Sequence, residues 1–395
     1  MRFLHTSDWH VGKVLKGHDR LDEHRAVLAE IVAIADEQRV DAVFVVGDLF
    51  ETALPSPDAQ QLVWETLIAL RRTGAEVIVV AGNHDNAGLF EAMSALFAAI
   101  GITMVGRPRR PNAGGIVRFS ARETGEPVEV ALLPFVSQRG IVTSLHLMGE
   151  DMAAAQLSQT YALRMQRVIS ALSDAFTSDA IRVFLVHAHV HGGLLGGGER
   201  EAQTIFDYGI SPAVFPTTAH YVGLGHLHRM QKVAGPCPIH YCGSPVQVDF
   251  GEEADSKQVL LVEVSPRTPA RATPVRLTQP RVLRTVEGSE SELRQRQGEF
   301  GDALLRIRVK DTPRSAGLAD RIREWFPNAL EVRIEIETVD ESTRPEARHD
   351  LRSPAALFAD FLAESNVSDE RLTALFSQLL DAATLGEAAL PIGMV

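Results

Sequence analysis

Short apolar runs, many of them β-branched, alternate with helical stretches over the first two thirds of the chain. Five runs are bounded by turn-forming or polar residues, as buried strands are. They cover Phe3–His5, Ala42–Val46, Val77–Val80, Ile181–Val186 and Tyr221–Gly223. Apolar residues recur at helical spacing over 22–38 and 58–72. This alternation predicts an α/β fold with a largely parallel sheet, which the later strands Val128–Leu133 and Val259–Val264 would complete.

A Pro- and Arg-bearing stretch at 266–281 predicts a boundary after a first domain of residues 1–275. Beyond it, three strands and two helices predict a small α+β domain over 281–340. The strands cover 282–286, 304–309 and 330–336, and the helices lie near 289–297 and 316–325. In the middle strand, Arg306, Arg308 and Lys310 alternate with apolar residues. Such a stripe is either a solvated face or a track for phosphates.

Residues 350–395 predict a third, helical unit. Ser353 before Pro354 and Ser368 before two acidic residues are typical of helix starts. An apolar stripe follows, formed by Leu372, Leu375, Phe376 and Leu379. This stripe either docks a partner or packs onto its own domain.

Length and charge narrow the class of protein. A chain of 395 residues is long enough for about two or three domains. It has no apolar run near the ~18 residues that span a bilayer and starts without a secretory signal, so we expect a cytoplasmic protein without membrane contact. A net charge of −12 argues against a generally basic nucleic-acid binder but allows a local site. Cys237 and Cys242 lack a second ligand pair for zinc and predict two reduced thiols.

Polar residues follow each of the five buried strands, at the edge where open α/β sheets gather their sites. They are Asp8, His10, Asp48, Asn83, His84, Asp85, His187, His226 and His228. Carboxylates, an amide oxygen and imidazoles, without a thiolate, suit two divalent ions. Asp48 is the natural bridge between them, and ligands two residues apart can point the same way from an extended backbone. Two ions about 3.5–4 Å apart can hold a phosphate and activate water.

The ordered motifs Asp-x-His, Gly-Asp, Gly-Asn-His-Asp, His and Gly-His-x-His resemble those of the calcineurin-like metallophosphoesterase superfamily. More narrowly, the segments His5–Gly12, Arg20–His24, Gly47–Phe50, Gly225–Arg229 and Tyr241–Val246 resemble the SbcD family of bacterial nuclease subunits. The resemblance implies a β-sandwich flanked by helices. It also implies a DNA-capping role for residues 281–340 and an SbcC-binding role for the helical segment 350–395.

The resemblance also implies roles for the site residues. One cation would be held by Asp8, His10, Asp48 and His228, and the other by Asp48, Asn83, His187 and His226. His84 would protonate the leaving oxygen, and Asp85 would orient His84. His189 and His191 compete with His187, which we prefer because it directly follows its strand and stands five residues before Gly192. Glu51 occupies a position where archaeal and eukaryotic relatives often carry a second active-site histidine.

These features predict a nuclease that uses Mn²⁺, because mixed oxygen and imidazole ligands suit Mn²⁺ better than Mg²⁺, although Zn²⁺ or iron would also bind. The resemblance implies 3′-to-5′ exonuclease and single-strand or hairpin endonuclease activity in DNA repair and recombination. It further implies a homodimer joined to two SbcC ATPase subunits, and the chain carries no Walker motif of its own. A small-molecule phosphodiesterase or phosphatase is the main alternative. An inactive scaffold is disfavoured because every ligand position is filled.

Overall fold

Two six-stranded sheets divide the predicted strands between them. The structure, a computed structural model, describes residues 1–137, 154–177, 179–197, 199, 209–310, 317–335, 354, 357–358, 361–362 and 370–385. The first sheet contains β1 (Arg2–Thr6), β4 (Ala42–Val46), β5 (Glu76–Val80), β6 (Ile102–Val105), β13 (Gln258–Ser265) and β14 (Thr268–Arg276). Its order is β14-β13-β1-β4-β5-β6. A separate short hairpin is formed by β2 (Val14–Leu15) and β3 (His18–Asp19).

The second sheet is built from the middle of the chain. It contains β7 (Ile116–Ser120), β8 (Pro127–Leu133), β9 (Ile181–His187), β10 (Tyr221–Gly225), β11 (Gln231–Val233) and β12 (Ile239–Tyr241). Its order is β11-β12-β10-β9-β8-β7. Strands β8, β9, β10 and β12 run parallel, so β9 and β10 end at the same edge of this sheet.

The five predicted strands are confirmed, but the prediction of one largely parallel sheet is wrong. Strand β8 belongs to the second sheet, whereas β13 pairs antiparallel with β1 in the first. Most of the predicted boundary at 266–281 is strand β14, which pairs antiparallel with β13. Strands that are buried on both faces are apolar throughout in either arrangement, so their pattern does not reveal which sheet they join.

Helices cover the outer faces of the sandwich. The first sheet packs against α1 (Leu21–Glu37), α2 (Pro57–Arg72) and α3 (Ala87–Ala98), and the second against α4 (Ala154–Ser173). Helix α2 begins where Ser56 Oγ accepts a hydrogen bond from Ala59 N at 3.2 Å, with Pro57 at the first helical position. A third apolar layer lies between the two sheets, and its largest side chains include Phe3, Phe44 and Tyr221.

A small parallel sheet follows the sandwich, as predicted. It consists of β15 (Leu283–Gly288), β16 (Leu304–Val309) and β17 (Ala329–Ile334), with α5 (Glu290–Gln295) and α6 (Leu318–Trp325). Arg306 pairs with Glu331 at 3.2 Å, Arg308 pairs with Glu287 at 2.9 Å, and Lys310 also contacts Glu287. Because all three cations have carboxylate partners within this sheet, the structure favours the solvated-face interpretation of the stripe.

The C-terminal helix is present as α7 (Glu370–Leu385). Its predicted stripe is largely exposed, with Leu372 at 37%, Leu375 at 40% and Leu379 at 41%. Phe376 stacks on Phe358 with 4.1 Å between ring centroids. The predicted helix starts at Ser353 and Ser368 lie outside the described residues. Within the described ranges, no helix is both long enough and apolar enough to cross a membrane.

The layer between the sheets predicts a strong effect of truncating Phe44. Its side chain is fully buried, and its ring centroid lies 4.7 Å from that of Phe3. We expect Phe44→Ala to lower the free energy of unfolding by about 3–5 kcal/mol, because it leaves a cavity in the layer. Urea denaturation followed by circular dichroism measures the change. Leu96→Ala, at a position 64% exposed, is the control and should change stability by less than about 0.5 kcal/mol; equal effects would contradict the packing.

Candidate metal centre

All nine residues singled out from the sequence lie at one edge of the sandwich. The first sheet contributes the residues that follow β1, β4 and β5, and the second those at the ends of β9 and β10. Each of the nine is at most 6% exposed, and they are Asp8, His10, Asp48, Asn83, His84, Asp85, His187, His226 and His228. The structure therefore brings the five motifs together in one buried cluster of carboxylates, imidazoles and one amide.

Two glycines allow the two sheets to approach each other at this edge. A Cβ at Gly225 would overlap the carbonyl of Val46, and a Cβ at Gly47 would overlap the imidazole of His187. In this tight space, His187 Nδ1 lies 2.9 Å from the Val46 carbonyl oxygen and donates to it. The glycine that precedes each of Asp48 and His226 is thus required by the close approach of the strands.

The backbone around the cluster is not extended, contrary to the sequence-based expectation. Asp8, His10 and Asp48 have φ values of 54°, 50° and 51°, and His226 has a φ of 105°. These are four of the six non-glycine residues with positive φ in the described part of the chain. Residues held in this region cost about 1–3 kcal/mol each and concentrate at functional sites. The side chains converge because the chain turns sharply after each strand.

A first group of ligand atoms is formed by Asp8, His10 and His228. One such atom from each lies within 4.8 Å of the others. The Nε2 atoms of His10 and His228 face each other at 3.0 Å. Two imidazole nitrogens that converge beside a carboxylate are a typical arrangement of metal ligands.

A second group is formed by Asp48, His187 and His226, whose ligand atoms also lie within 4.8 Å of one another. Asn83 joins it, since its Oδ1 lies 2.9 Å from His187 Nε2 and 2.8 Å from His226 Nδ1. His189, the alternative to His187, is buried nearby, with its ring centroid 6.5 Å from that of His226. The contacts thus place His187, the preferred residue, among these ligand atoms.

Asp48 lies between the two groups. Its Oδ2 is 3.4 Å from His187 Nε2 in the second group and 3.9 Å from His10 Nε2 in the first. Its Oδ1 accepts a hydrogen bond of 2.7 Å from the His84 backbone N–H. A carboxylate in this position is suited to bridge two cations.

The charges of the protein itself keep Asp48 ionised. Burial opposes ionisation, but His187 and His84 outweigh it and hold the pKa of Asp48 well below its usual value. Burial raises the pKa of Asp8. Burial, together with the charge of His187, lowers the pKa of His226. An ionised carboxylate and a neutral imidazole are the protonation states that bind metal ions.

His84 and Asp85 make different contacts from those expected. His84 Nδ1 donates to the Glu51 carbonyl oxygen at 2.7 Å. The Asp85 carboxylate accepts from the backbone N–H groups of Gly82 at 2.9 Å and Phe50 at 3.0 Å. Burial and the charge of Asp48 raise the pKa of Asp85 to about 7. Asp85 thus holds the loop that carries His84, whereas the main chain of Glu51 orients the His84 ring.

Three further carboxylates contact the histidines and were not identified as such from the sequence. Glu51 Oε2 lies 2.9 Å from His10 Nδ1, and Glu252 Oε1 lies 2.8 Å from His228 Nδ1. Glu199 Oε1 accepts from the backbone N–H of His228 at 3.0 Å. Burial opposes ionisation of Glu252, but Lys257 and His228 lower its pKa to about 2. Single acidic residues carry no spacing pattern, so only the structure reveals these contacts.

Comparison with known proteins identifies the family. A family model described as calcineurin-like phosphoesterase matches residues 1–230. A second one, described as type 5 capsule protein repressor C-terminal domain, matches residues 279–366. The match to the first model covers more than half of the chain, and it contains all the clustered ligand residues.

Curated relatives extend over nearly the whole chain. The SbcD subunit of nuclease SbcCD from Bacillus subtilis (strain 168) is 30% identical over 389 residues, covering 96% of this chain and 97% of that protein. Its namesake in Rhodobacter capsulatus is 31% identical, covering 91% and 94%. The one in Escherichia coli (strain K12) is 31% identical, covering 67% and 65%. The chain belongs to the calcineurin-like phosphoesterase family and, within it, to the SbcD family. Its buried Asp and His clusters suit the divalent metals that this family implies.

The position of Asp48 predicts that one substitution disturbs both groups of ligands. We expect Asp48→Ala to reduce the Mn²⁺ bound per chain at both positions, because each loses the shared carboxylate. Metal content after equilibrium dialysis measures this. Asp41→Ala is the matched control: Asp41 is also a buried aspartate, but it accepts from the backbone of Arg2 and Arg122, both at 2.7 Å. A variant at Asp48 that still bound two ions would show that this carboxylate is not the bridge.

Proposed function

We propose that this chain is the metal-dependent nuclease subunit of an SbcCD complex and hydrolyses phosphodiester bonds of DNA. The observation that carries the proposal is the Asp48 carboxylate, which lies between two groups of ligand atoms in a buried cleft edge. Relatives that bear the name of the SbcCD nuclease and align over most of the chain support it. The proposed activities are exonuclease action from 3′ to 5′ on duplexes and endonuclease action on single strands or hairpins, in the cytoplasm.

Two divalent cations fit the residues of the centre, and Mn²⁺ is the proposed metal. Asp8, His10 and His228 would hold one, Asn83, His187 and His226 the other, with Asp48 shared. When bound, two such cations orient a phosphate, activate water and stabilise charge on the attacking and leaving oxygens. Four imidazoles among the ligands favour Mn²⁺ over Mg²⁺, which prefers oxygen ligands and retains water.

His84 is the proposed general acid. A carbonyl oxygen can only accept, so the contact with Glu51 keeps a proton on His84 Nδ1. Proton exchange with the leaving oxygen then falls to Nε2. The His84 ring also meets the His10 ring edge-on, with 4.7 Å between centroids. His84 therefore lies beside the proposed cation centre, where a leaving oxygen would need a proton.

The region after residue 280 favours DNA over a small ester as the substrate. The small sheet of β15, β16 and β17 and helix α7 are not needed for the metal chemistry, yet the B. subtilis relative aligns over 96% of this chain. We assign residues 281–340 a DNA-capping role and residues 350–395 a role in binding SbcC. The proposed assembly is a homodimer joined to two SbcC subunits, which would supply ATP hydrolysis.

Removing the His84 imidazole tests the proposed chemistry. We expect His84→Ala to slow DNA hydrolysis by about 10²–10⁴-fold, because the leaving oxygen loses its acid, while metal content stays unchanged. The assay compares blunt duplex, hairpin and single-stranded DNA with bis-p-nitrophenyl phosphate, in Mn²⁺ and in Mg²⁺. His18→Ala, at a half-buried histidine outside the ligand groups, should leave all rates unchanged. Hydrolysis of the small ester alone by the unaltered protein would contradict the nuclease proposal, and full activity of His84→Ala would remove His84 from the mechanism.

The exposed leucines of α7 test the proposed partner contact. We expect Leu372→Asp combined with Leu379→Asp to abolish SbcC binding, because two charges would enter an apolar interface. Both side chains are substantially exposed, at 37% and 41%, so the substitutions should leave the fold intact. Analytical ultracentrifugation with purified SbcC measures the complex, and nuclease activity on hairpin DNA without SbcC should not change. Leu96→Asp, at an exposed leucine of α3, is the control; unchanged SbcC binding by the double variant would refute the contact.

A further inference from the structure

Glu252 is a buried carboxylate that contacts a histidine of the centre. It lies in a short 3-10 turn, Phe250–Glu252, and its side chain is 0% exposed. Its Oε1 lies 2.8 Å from His228 Nδ1, and its Oε2 accepts from the Val248 backbone N–H at 3.1 Å. The carboxylate thus faces the ring nitrogen opposite the one that meets His10.

Lys257 supplies the counter-ion of Glu252. Its Nζ lies 2.6 Å from Glu252 Oε2, 2.9 Å from Ser244 Oγ and 3.2 Å from the His228 carbonyl oxygen. These three acceptors match the three donors of an ammonium group. A buried ion pair contributes little net stability, because both charges are removed from water. Stability therefore does not account for a charged pair at this place, whereas its contact with a ligand histidine does.

The same arrangement occurs at the other histidine of this group but not at His187. His10 Nδ1 lies 2.9 Å from Glu51 Oε2. His187 Nδ1, in the second group, instead faces the backbone carbonyl of Val46 at 2.9 Å. A carboxylate on the outer ring nitrogen fixes the tautomer that presents Nε2 and makes the imidazole a stronger ligand. The two groups thus differ in the partners that orient their imidazoles.

We propose that Glu252 is a positioning residue for the cation held by Asp8, His10 and His228, with Lys257 as its counter-ion. The inference rests on the proposed two-cation centre, but not on the identity of the substrate. Glu252 fixes the ring of His228 so that Nε2 points toward the cation. The loss of this contact weakens one cation and leaves the other unchanged.

The test is Mn²⁺ binding by Glu252→Gln. Equilibrium dialysis gives the two dissociation constants, and electron paramagnetic resonance distinguishes an exchange-coupled Mn²⁺ pair from an isolated ion. We expect one dissociation constant to rise by about 10–100-fold and the other to stay unchanged. At Mn²⁺ concentrations that give the coupled spectrum for the unaltered protein, the variant should give the spectrum of isolated ions. Glu129→Gln is the matched control, since Glu129 is a buried glutamate paired with Arg118 at 2.8 Å, outside the centre.

A second variant covers the case in which Glu252→Gln does not fold, because it leaves Lys257 buried without its counter-ion. Glu252→Gln combined with Lys257→Met removes both charges together and should show the same selective loss. Unchanged binding of both ions, or an equal weakening of both, in a folded variant would overturn the proposal. DNA hydrolysis is measured separately on the unaltered protein: two bound Mn²⁺ without cleavage would defeat the nuclease proposal and leave the role of Glu252 standing.

Discussion

The strained backbone at the ends of the strands is the constraint on which the centre depends. Asp48 adopts a φ of 51° and places one carboxylate oxygen between His10 and His187. The turns are held by their own hydrogen bonds, from Asp8 N to the Gly47 carbonyl at 2.9 Å and from His10 N to the Asp48 carbonyl at 3.0 Å. Because a left-handed conformation costs each residue about 1–3 kcal/mol, the surrounding sandwich must hold it in place. The apolar layer between the sheets thus supports the geometry of the ligands as well as the fold.

The segment after β12 joins the centre to the small sheet. Gln247 donates to the Glu252 carbonyl at 2.9 Å and accepts from the Leu283 backbone N–H at 2.6 Å. Phe250, in the same turn as Glu252, packs under Arg306 of β16, with 4.3 Å from the guanidinium carbon to the ring centroid. The turn that orients His228 is therefore also the surface on which the small sheet rests. Any displacement of that sheet would be felt first at Glu252.

The sequence was sufficient to predict the strands and their polar ends, because each strand is a short apolar run followed at once by a ligand residue. It could not predict the division into two sheets, since strands buried on both faces share one pattern. The expected extended backbone at Asp8 and His10 was wrong, because local propensity does not report a positive φ that tertiary contacts impose. The contact of Asp85 was also misjudged, as its carboxylate bonds to backbone N–H groups of two loops rather than to the adjacent ring.

Glu51 shows how one position can serve the centre through two separate groups. Its carbonyl accepts from His84 Nδ1, a contact that any residue type could make. Its side chain contacts His10 Nδ1 at 2.9 Å and Lys13 Nζ at 2.9 Å. Burial opposes ionisation, but His10 and Lys13 hold the pKa of this carboxyl well below its usual value. A histidine here, as in related branches, could retain the contact with His84 but would lack an anion to orient His10. The carboxylate at this position therefore belongs with Glu252, as a partner of the imidazoles around one cation.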